Sequence, residues 1–114
     1  MVELKSVKAP HLAVIDTATL AVLCRSGVPM VLLDARDGDD VERIPGAEVL
    51  DPESSEEQIG KVIDSKETLV VTYCTSIHCP LSMSLYKRLQ ECGYENLLEY
   101  PDGVAGWKAG GYPK

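Results

Sequence analysis

The chain has 114 residues, a length that allows one folded domain with one hydrophobic core. Hydrophobic residues make up 45% of it and charged residues 25%, which is typical of globular proteins and excludes disordered and collagen-like classes. No apolar run approaches the ~20 residues of a transmembrane helix, and the first residues lack the apolar stretch of a secretory signal. We therefore expect a cytoplasmic protein with no membrane partner.

The net charge is −7, which repels phosphate backbones and predicts no nucleic-acid partner. The four cysteines are Cys24, Cys74, Cys79 and Cys92. We expect thiols, because a cytoplasmic chain with this much core does not need disulfide bonds. Their spacing lacks the paired ligands of a zinc site, so no metal is expected. A monomer is the default expectation.

The first half of the chain predicts one helix and two short strands. Thr17 is a good N-cap for a helix over residues 18–25, with Leu20 and Leu23 on one face. A continuous apolar run over residues 30–33 predicts a strand buried on both faces, as parallel sheets require. A second short strand is predicted over residues 47–50.

The second half continues the alternation of helices and strands. Ser54 or Ser55 can cap a helix, and residues 68–73 are the strongest strand pattern in the chain. Pro80 at a first helical position then begins an amphipathic helix, and Asn96–Tyr100 is a last strand. Strands that alternate with helices over short connections predict an α/β fold, with a mostly parallel sheet and helices on both faces.

The most informative segment is the loop over residues 74–80, between the best strand and the best helix. Ligands of parallel sheets bind outside the carboxyl ends of the strands, and Cys74 stands at that place. Loop N–H groups in front of a helix N-terminus favour an anion and lower the pKa of a thiol. Cys74 is therefore a candidate nucleophile, with a small buried residue at a strand end as the alternative interpretation.

The remaining loop residues are candidates for binding a sulfur species through their N–H groups and side chains. They are Thr75, Ser76, Ile77, His78 and Cys79. The alternative for Thr75, Ser76 and His78 is that they only satisfy the backbone of the loop. His78 is the one cationic side chain available within the loop; it is interpreted either as a proton donor to the leaving group or as an exposed histidine. Cys79 could resolve an oxidised Cys74 as a disulfide if the two Cα atoms lie within about 7 Å; the alternative is that Cys79 only packs.

Six short segments, taken in order, resemble the rhodanese (thiosulfate sulfurtransferase) homology family. They are LLDAR at 32–36, IPGA at 44–47, VVTYC at 70–74, GYEN at 93–96, DGVAGW at 102–107 and GYP at 111–113. Each is weak alone, whereas six in order and in register are specific. The resemblance runs from about residue 12 to residue 113 and implies a single rhodanese-like domain over residues 1–114.

The resemblance implies a five-stranded, mostly parallel sheet and a sulfurtransferase reaction. Cys74 would accept a sulfane sulfur as a persulfide and pass it to a thiol or to cyanide, without a metal or an organic cofactor. The implied partners are a small sulfane-sulfur donor and a thiol acceptor, such as a protein thiol. Asp34 and Arg36 are interpreted as structural, the aspartate tying down a loop and the arginine pairing with a carboxylate. Trp107 is interpreted as a cover over the core or the pocket.

Two departures from the family pattern bear on the substrate. The loop contains neither arginine nor lysine, and Asp102 replaces the first glycine of the family's GG element. With a net charge of −7, both favour a low-charge persulfide or polysulfide over thiosulfate as donor. The segment from Cys74 to Gly93 is also somewhat longer than in members with the common loop, which leaves the loop length open; a longer loop would resemble the phosphatases and arsenate reductases of this fold. That chemistry needs an arginine around the oxyanion, and neither arginine nor lysine follows Cys74 before Lys87.

A second function from a different class stays open. The chain could be a catalytically weak rhodanese-homology module that binds a protein or senses redox state through Cys74 and Cys79. A persulfide on Cys74 distinguishes the carrier from this module.

Overall fold

The computed structural model describes residues 13–36, 42–76 and 79–112. In chain order the elements are α1 (Thr17–Ser26), β1 (Val31–Asp34), β2 (Glu48–Val49), α2 (Glu56–Val62), β3 (Leu69–Tyr73), α3 (Leu81–Glu91), β4 (Asn96–Tyr100) and α4 (Gly103–Ala109). The described helices include none that is long and apolar enough to cross a membrane.

The strands form one parallel sheet in the order β2-β1-β3-β4. The predicted α/β class is confirmed, but this sheet has four strands where five were expected. At the β4 edge Val14 makes a single parallel bridge to Glu99, with the Ile15 N–H donating to the Glu99 carbonyl at 3.0 Å. In the described part of the chain this bridge is strand-like pairing beyond the four strands, and it adds no fifth strand to the sheet.

The side chains of successive strand residues point into two separate hydrophobic layers, because a strand alternates between the faces of its sheet. One layer lies between the sheet and helices α2 and α3, and the other between the sheet and helices α1 and α4. In β3, for example, Val70 belongs to the first layer and Val71 to the second. Helices therefore cover both faces, as predicted.

Two helix starts differ from the prediction. Asp16, rather than Thr17, caps α1, and its carboxylate accepts the Thr19 N–H at 2.8 Å. The Thr17 hydroxyl is 2.6 Å from the hydroxyl of Tyr100, a contact 83 residues along the chain. Pro80 is the N-cap of α3 and lies outside the helix, which begins at Leu81. Of the two serines predicted to cap α2, Ser55 does so, in a capping box with Gln58.

A buried carboxylate ties the start of α3 to the sheet. Glu99 in β4 is 3% exposed, and its two oxygens accept hydrogen bonds from the Thr72 hydroxyl at 2.6 Å and the Ser82 hydroxyl at 2.7 Å. Ser82 lies in the first turn of α3, directly after the candidate loop. Burial raises the pKa of Glu99, and the two hydroxyl donors act in the opposite direction.

The raised pKa of Glu99 gives a pH dependence of stability that can be tested with Glu99→Gln. The Glu99 carboxylate binds a proton at a higher pH in the folded protein than in the unfolded protein. Lowering the pH towards 4.5 therefore increases the contribution of Glu99 to the unfolding free energy of the wild type. Glutamine cannot take up the proton. Urea unfolding at pH 8 and at pH 5 measures this effect. The stability of the wild type relative to Glu99→Gln should be greater at pH 5 than at pH 8. A difference that does not change with pH would contradict this.

Candidate active site

The candidate site lies where β3 ends and the loop to α3 begins. Cys74 follows the last residue of β3 and is 1% exposed. The neighbouring strand β1 ends beside it, because the Ala35 N–H donates to the Tyr73 carbonyl at 3.0 Å. The carboxyl ends of two adjacent parallel strands thus bring the segments after Asp34 and after Tyr73 together.

The amino end of α4 fixes the backbone of the site. The Val104 N–H donates to the Cys74 carbonyl at 3.1 Å, and the Ala105 N–H donates to the Thr75 carbonyl at 2.9 Å. In a planar trans peptide the N–H points opposite to the carbonyl, and the described residues contain no cis peptide. The N–H groups of Thr75 and Ser76 therefore point away from α4.

Gly103 makes this close approach of two backbones possible. It has a φ of +62°, and a Cβ at this position would overlap the Cys74 carbonyl oxygen and lie 2.7 Å from the Thr75 carbonyl carbon. Only glycine combines a positive φ with the absence of a side chain. The residue thus sets the distance between α4 and the candidate nucleophile.

Cys74 and Cys79 are joined by a disulfide bond, with their Cα atoms 6.2 Å apart. The expectation of thiols was wrong for these two cysteines, because the fold places their Cα atoms within the distance set for Cys79 in the sequence analysis. The Cys79 N–H donates to the Ser76 carbonyl at 3.1 Å, so in this disulfide form it is used inside the loop. Ile77 and His78, the other predicted binding residues, lie outside the described residues.

A cation from β1 reaches the loop. The Arg36 guanidinium donates to the Thr75 hydroxyl at 3.2 Å, and the Thr75 oxygen is 4.0 Å from the Cys74 sulfur. A disulfide sulfur carries no hydrogen, so in this contact the Thr75 hydroxyl is the donor and the sulfur the acceptor. Arg36 thus donates to the oxygen of the Thr75 hydroxyl. The proton of that hydroxyl remains available to the Cys74 sulfur.

Asp34 holds Arg36 in place with both carboxylate oxygens. Arg36 Nε donates to one oxygen at 2.9 Å and a terminal nitrogen donates to the other at 2.7 Å, while Asp34 itself is fully buried. The hydrogen bonds to Asp34 raise the pKa of Arg36. Arg43 also contacts Asp34, at 3.3 Å, so the cluster carries two positive charges and one negative. The cluster therefore has a net positive charge, opposite in sign to the net charge of the whole chain.

The predicted roles of Asp34 and Arg36 match this geometry, but the contact of Arg36 with the loop was missed. Sequence reasoning considered cations only within residues 74–80, whereas this one comes from the neighbouring strand. The signal that could have found it is the parallel pairing of the two strands, which places the residues after Asp34 next to those after Tyr73.

Trp107 belongs to a hydrophobic layer, and the two free cysteines belong to α1 and to the end of α3. Trp107 is buried in the layer between α4 and the sheet, where its ring lies 4.8 Å from that of Tyr112, so it anchors α4. Cys24 is exposed on α1, and Cys92 is the C-cap of α3 at the far end from the loop.

A comparison with protein families decides the identity. The family model of the rhodanese-like domain matches residues 16–110. The chain belongs to the rhodanese-like domain family. The match confirms the family expected from the six sequence segments.

Solved structures agree with this assignment. The rhodanese-like domain is similar to a Bacillus halodurans protein at 21% identity and TM-score 0.76, over 88% of this chain and 74% of that one. A single-domain sulfurtransferase from Saccharomyces cerevisiae matches at 16% identity and TM-score 0.72, over 93% and 99% of the two chains. A thiosulfate sulfurtransferase from Pseudomonas aeruginosa matches at 21% identity and TM-score 0.74, over 89% of this chain and 19% of that one. No match was found among curated protein sequences. At these identities the similarity establishes the fold.

The close approach at Gly103 predicts that Gly103→Ala destabilises the rhodanese-like domain more than an ordinary positive-φ glycine does. Gly27 is the matched control, with a φ of +77° and no atom within 4 Å of the position that a Cβ would take. Gly27→Ala should cost about 1 kcal/mol of unfolding free energy from the backbone alone. Gly103→Ala should cost about 1–3 kcal/mol more, because α4 or the loop must move. If urea unfolding gives the same loss of unfolding free energy for both variants, the close contact between Gly103 and Cys74 does not contribute and the prediction is wrong.

Proposed function

We propose that this rhodanese-like domain is a sulfurtransferase or persulfide carrier, with Cys74 as the sulfur-accepting nucleophile. The observation that carries the proposal is the position of Cys74 at the carboxyl end of β3, with the Thr75 hydroxyl 4.0 Å from its sulfur and Arg36 donating to that hydroxyl. The sulfurtransferases of similar fold from yeast and Pseudomonas aeruginosa support the same reaction class.

The reaction requires Cys74 as a thiolate, so the bond to Cys79 must first be reduced. The thiolate attacks the outer sulfur of a donor R–S–SH, the S–S bond of the donor breaks, and the thiol R–SH leaves. An acceptor thiolate then attacks the outer sulfur of the Cys74 persulfide and regenerates Cys74. The N–H groups of Thr75 and Ser76, turned away from α4, are the proposed donors to the sulfur anion.

The proposed donor is a low-charge persulfide or polysulfide rather than thiosulfate. Arg36 is already paired with Asp34 through two hydrogen bonds, which leaves the site without an unshared arginine in its described part. A thiosulfate dianion would also meet the field of a chain with net charge −7. The proposed acceptor is a thiol, of a small molecule or of a protein, and the proposed location is the cytoplasm.

Mass spectrometry of the intact protein tests this function directly. Reduced wild type and Cys74→Ser are each incubated with thiosulfate and, separately, with polysulfide. A Cys74-dependent gain of about 32 Da, one sulfur atom, should form, more strongly with polysulfide, and it is transient in wild type if Cys79 reacts with it. Because Cys79 could remove the sulfur again, the same experiment is run on Cys79→Ser. Absence of the adduct from the folded, reduced Cys79→Ser variant would overturn the proposal.

The Thr75 hydroxyl is expected to assist sulfur loading. All proteins in this test also carry Cys79→Ser, so that the adduct persists. Thr75→Val keeps the shape of the side chain and removes the donor, which should slow adduct formation on Cys74 about tenfold or more, as one hydrogen bond to a charged sulfur implies. Thr68→Val at the amino end of β3 is the matched control and should load at the rate of Cys79→Ser alone. Equal rates with and without Thr75→Val would show that the hydroxyl only supports the loop.

The second candidate is a protein-binding or redox-sensing module, and the Cys74–Cys79 disulfide is the observation that favours its redox form. A sensor forms this bond in response to oxidants such as peroxide and holds no sulfane sulfur. A folded protein that never carries extra sulfur, even without Cys79, would favour this module.

A further inference from the structure

We infer that Cys79 resolves the persulfide on Cys74, releasing the sulfane sulfur as hydrosulfide and closing the Cys74–Cys79 disulfide. The inference rests on the proposed function, since it requires sulfur on Cys74. It adds a second activity, in which the domain reduces sulfane sulfur to hydrosulfide instead of handing it to an acceptor.

The two cysteines are held at bonding distance by different parts of the fold. Cys74 is fixed by β3 on one side and by the Val104 N–H of α4 on the other. Cys79 precedes α3, whose first turn is tied to the sheet through Ser82 and Glu99. Their Cα atoms are 6.2 Å apart, within the usual range for a disulfide. The thiol that could attack is thus positioned before any sulfur arrives.

Burial favours the internal thiol over an external one. In this disulfide form Cys74 is 1% exposed, and its place between β3 and α4 limits the access of an external thiol to its Sγ atom. Cys79 is only partly buried, and its Cα atom lies 6.2 Å from that of Cys74. An intramolecular thiol at a fixed position acts at a high effective concentration, so it competes with acceptors in solution.

The other thiols of the chain are not placed for this step. Cys92 is the C-cap of α3 and is separated from the loop by the whole helix, whose 11 residues span about 16 Å. Cys24 is exposed on α1. Both remain free in the structure that joins Cys74 to Cys79.

The step balances without an added oxidant. The Cys79 thiolate attacks the Sγ atom of Cys74, a new Sγ–Sγ bond forms, and the bond from Cys74 to the sulfane sulfur breaks. The departing sulfur takes the electron pair of that bond and leaves as hydrosulfide, with the Cys79 proton completing hydrogen sulfide. The sulfane sulfur is reduced by two electrons, and each cysteine sulfur is oxidised by one. A dithiol reductant must then reopen the disulfide for another cycle.

The test uses cysteine persulfide as donor, under anaerobic conditions, with reduced full-length protein. The proteins are wild type, Cys79→Ser and the matched control Cys92→Ser, with Cys74→Ser for the background of hydrosulfide. Intact masses are recorded without reductant, disulfides are located by peptide mapping, and released hydrosulfide is measured against protein.

Wild type and Cys92→Ser should lose about 2 Da, carry the Cys74–Cys79 bond and release one equivalent of hydrosulfide above background. Cys79→Ser should instead keep one extra sulfur on Cys74 and release at least tenfold less. Wild type alone shows whether the disulfide and the hydrosulfide form, and Cys79→Ser, checked for its fold by circular dichroism, separates this route from direct oxidation by the donor.

The outcomes that overturn the inference differ from the one that overturns the proposed function. Persistent extra sulfur on Cys74 in wild type, without hydrosulfide, leaves sulfur acceptance intact and removes the resolving role of Cys79. Sulfur found on Cys79 would show a relay between the cysteines, and a cysteine mixed disulfide on Cys74 in Cys79→Ser would show direct oxidation by the donor; either contradicts the inference. Only the absence of sulfur from every protein, Cys79→Ser included, removes the proposed function itself.

Discussion

The site depends on the contact between two stretches of backbone, the start of α4 and the residues that follow β3. Two N–H groups of α4 donate hydrogen bonds to the carbonyls of Cys74 and Thr75. Gly103 allows this close approach because it has no side chain. This contact orients the peptide groups around the sulfur without using any charged side chain. The chemistry of Cys74 is therefore coupled to how well α4 packs, and Trp107 is the anchor of that packing.

The charge next to the loop differs in sign from the net charge of the chain. The chain as a whole is acidic, yet the cluster next to the loop contains Arg36 and Arg43 around a single buried Asp34. Pairing with Asp34 fixes the direction of the Arg36 guanidinium, so its effect on the loop is to orient the Thr75 hydroxyl. An arginine used in this way positions a neutral hydroxyl near Cys74 and has little capacity left for a second, doubly charged ligand.

The sequence predicted what local patterns determine and missed what distant contacts decide. β4 was predicted with its observed bounds, because Gly93, which ends the preceding helix, and the apolar and aromatic residues that follow Asn96 are local signals. α4 was not predicted as a helix, since Gly103 and Gly106 lower its helix propensity and its stability comes from packing. By residue type Asp16 is the somewhat better cap, and the contact of Thr17 with Tyr100 gives the Thr17 hydroxyl a different partner. The reach of Arg36 to Thr75 is likewise visible only once the strands are paired.

The disulfide spans a sequence separation of only five residues, and this has a consequence for the unfolded chain. A bond that closes so short a loop removes little conformational entropy from the unfolded state, about 2 kcal/mol against about 5 kcal/mol for a loop of roughly 100 residues. Opening it therefore withdraws only a modest share of the stabilisation that a long-range bridge would give, and the two hydrophobic layers do not depend on it. The domain can pass between oxidised and reduced forms as a folded molecule, so the bond is suited to repeated breaking and remaking.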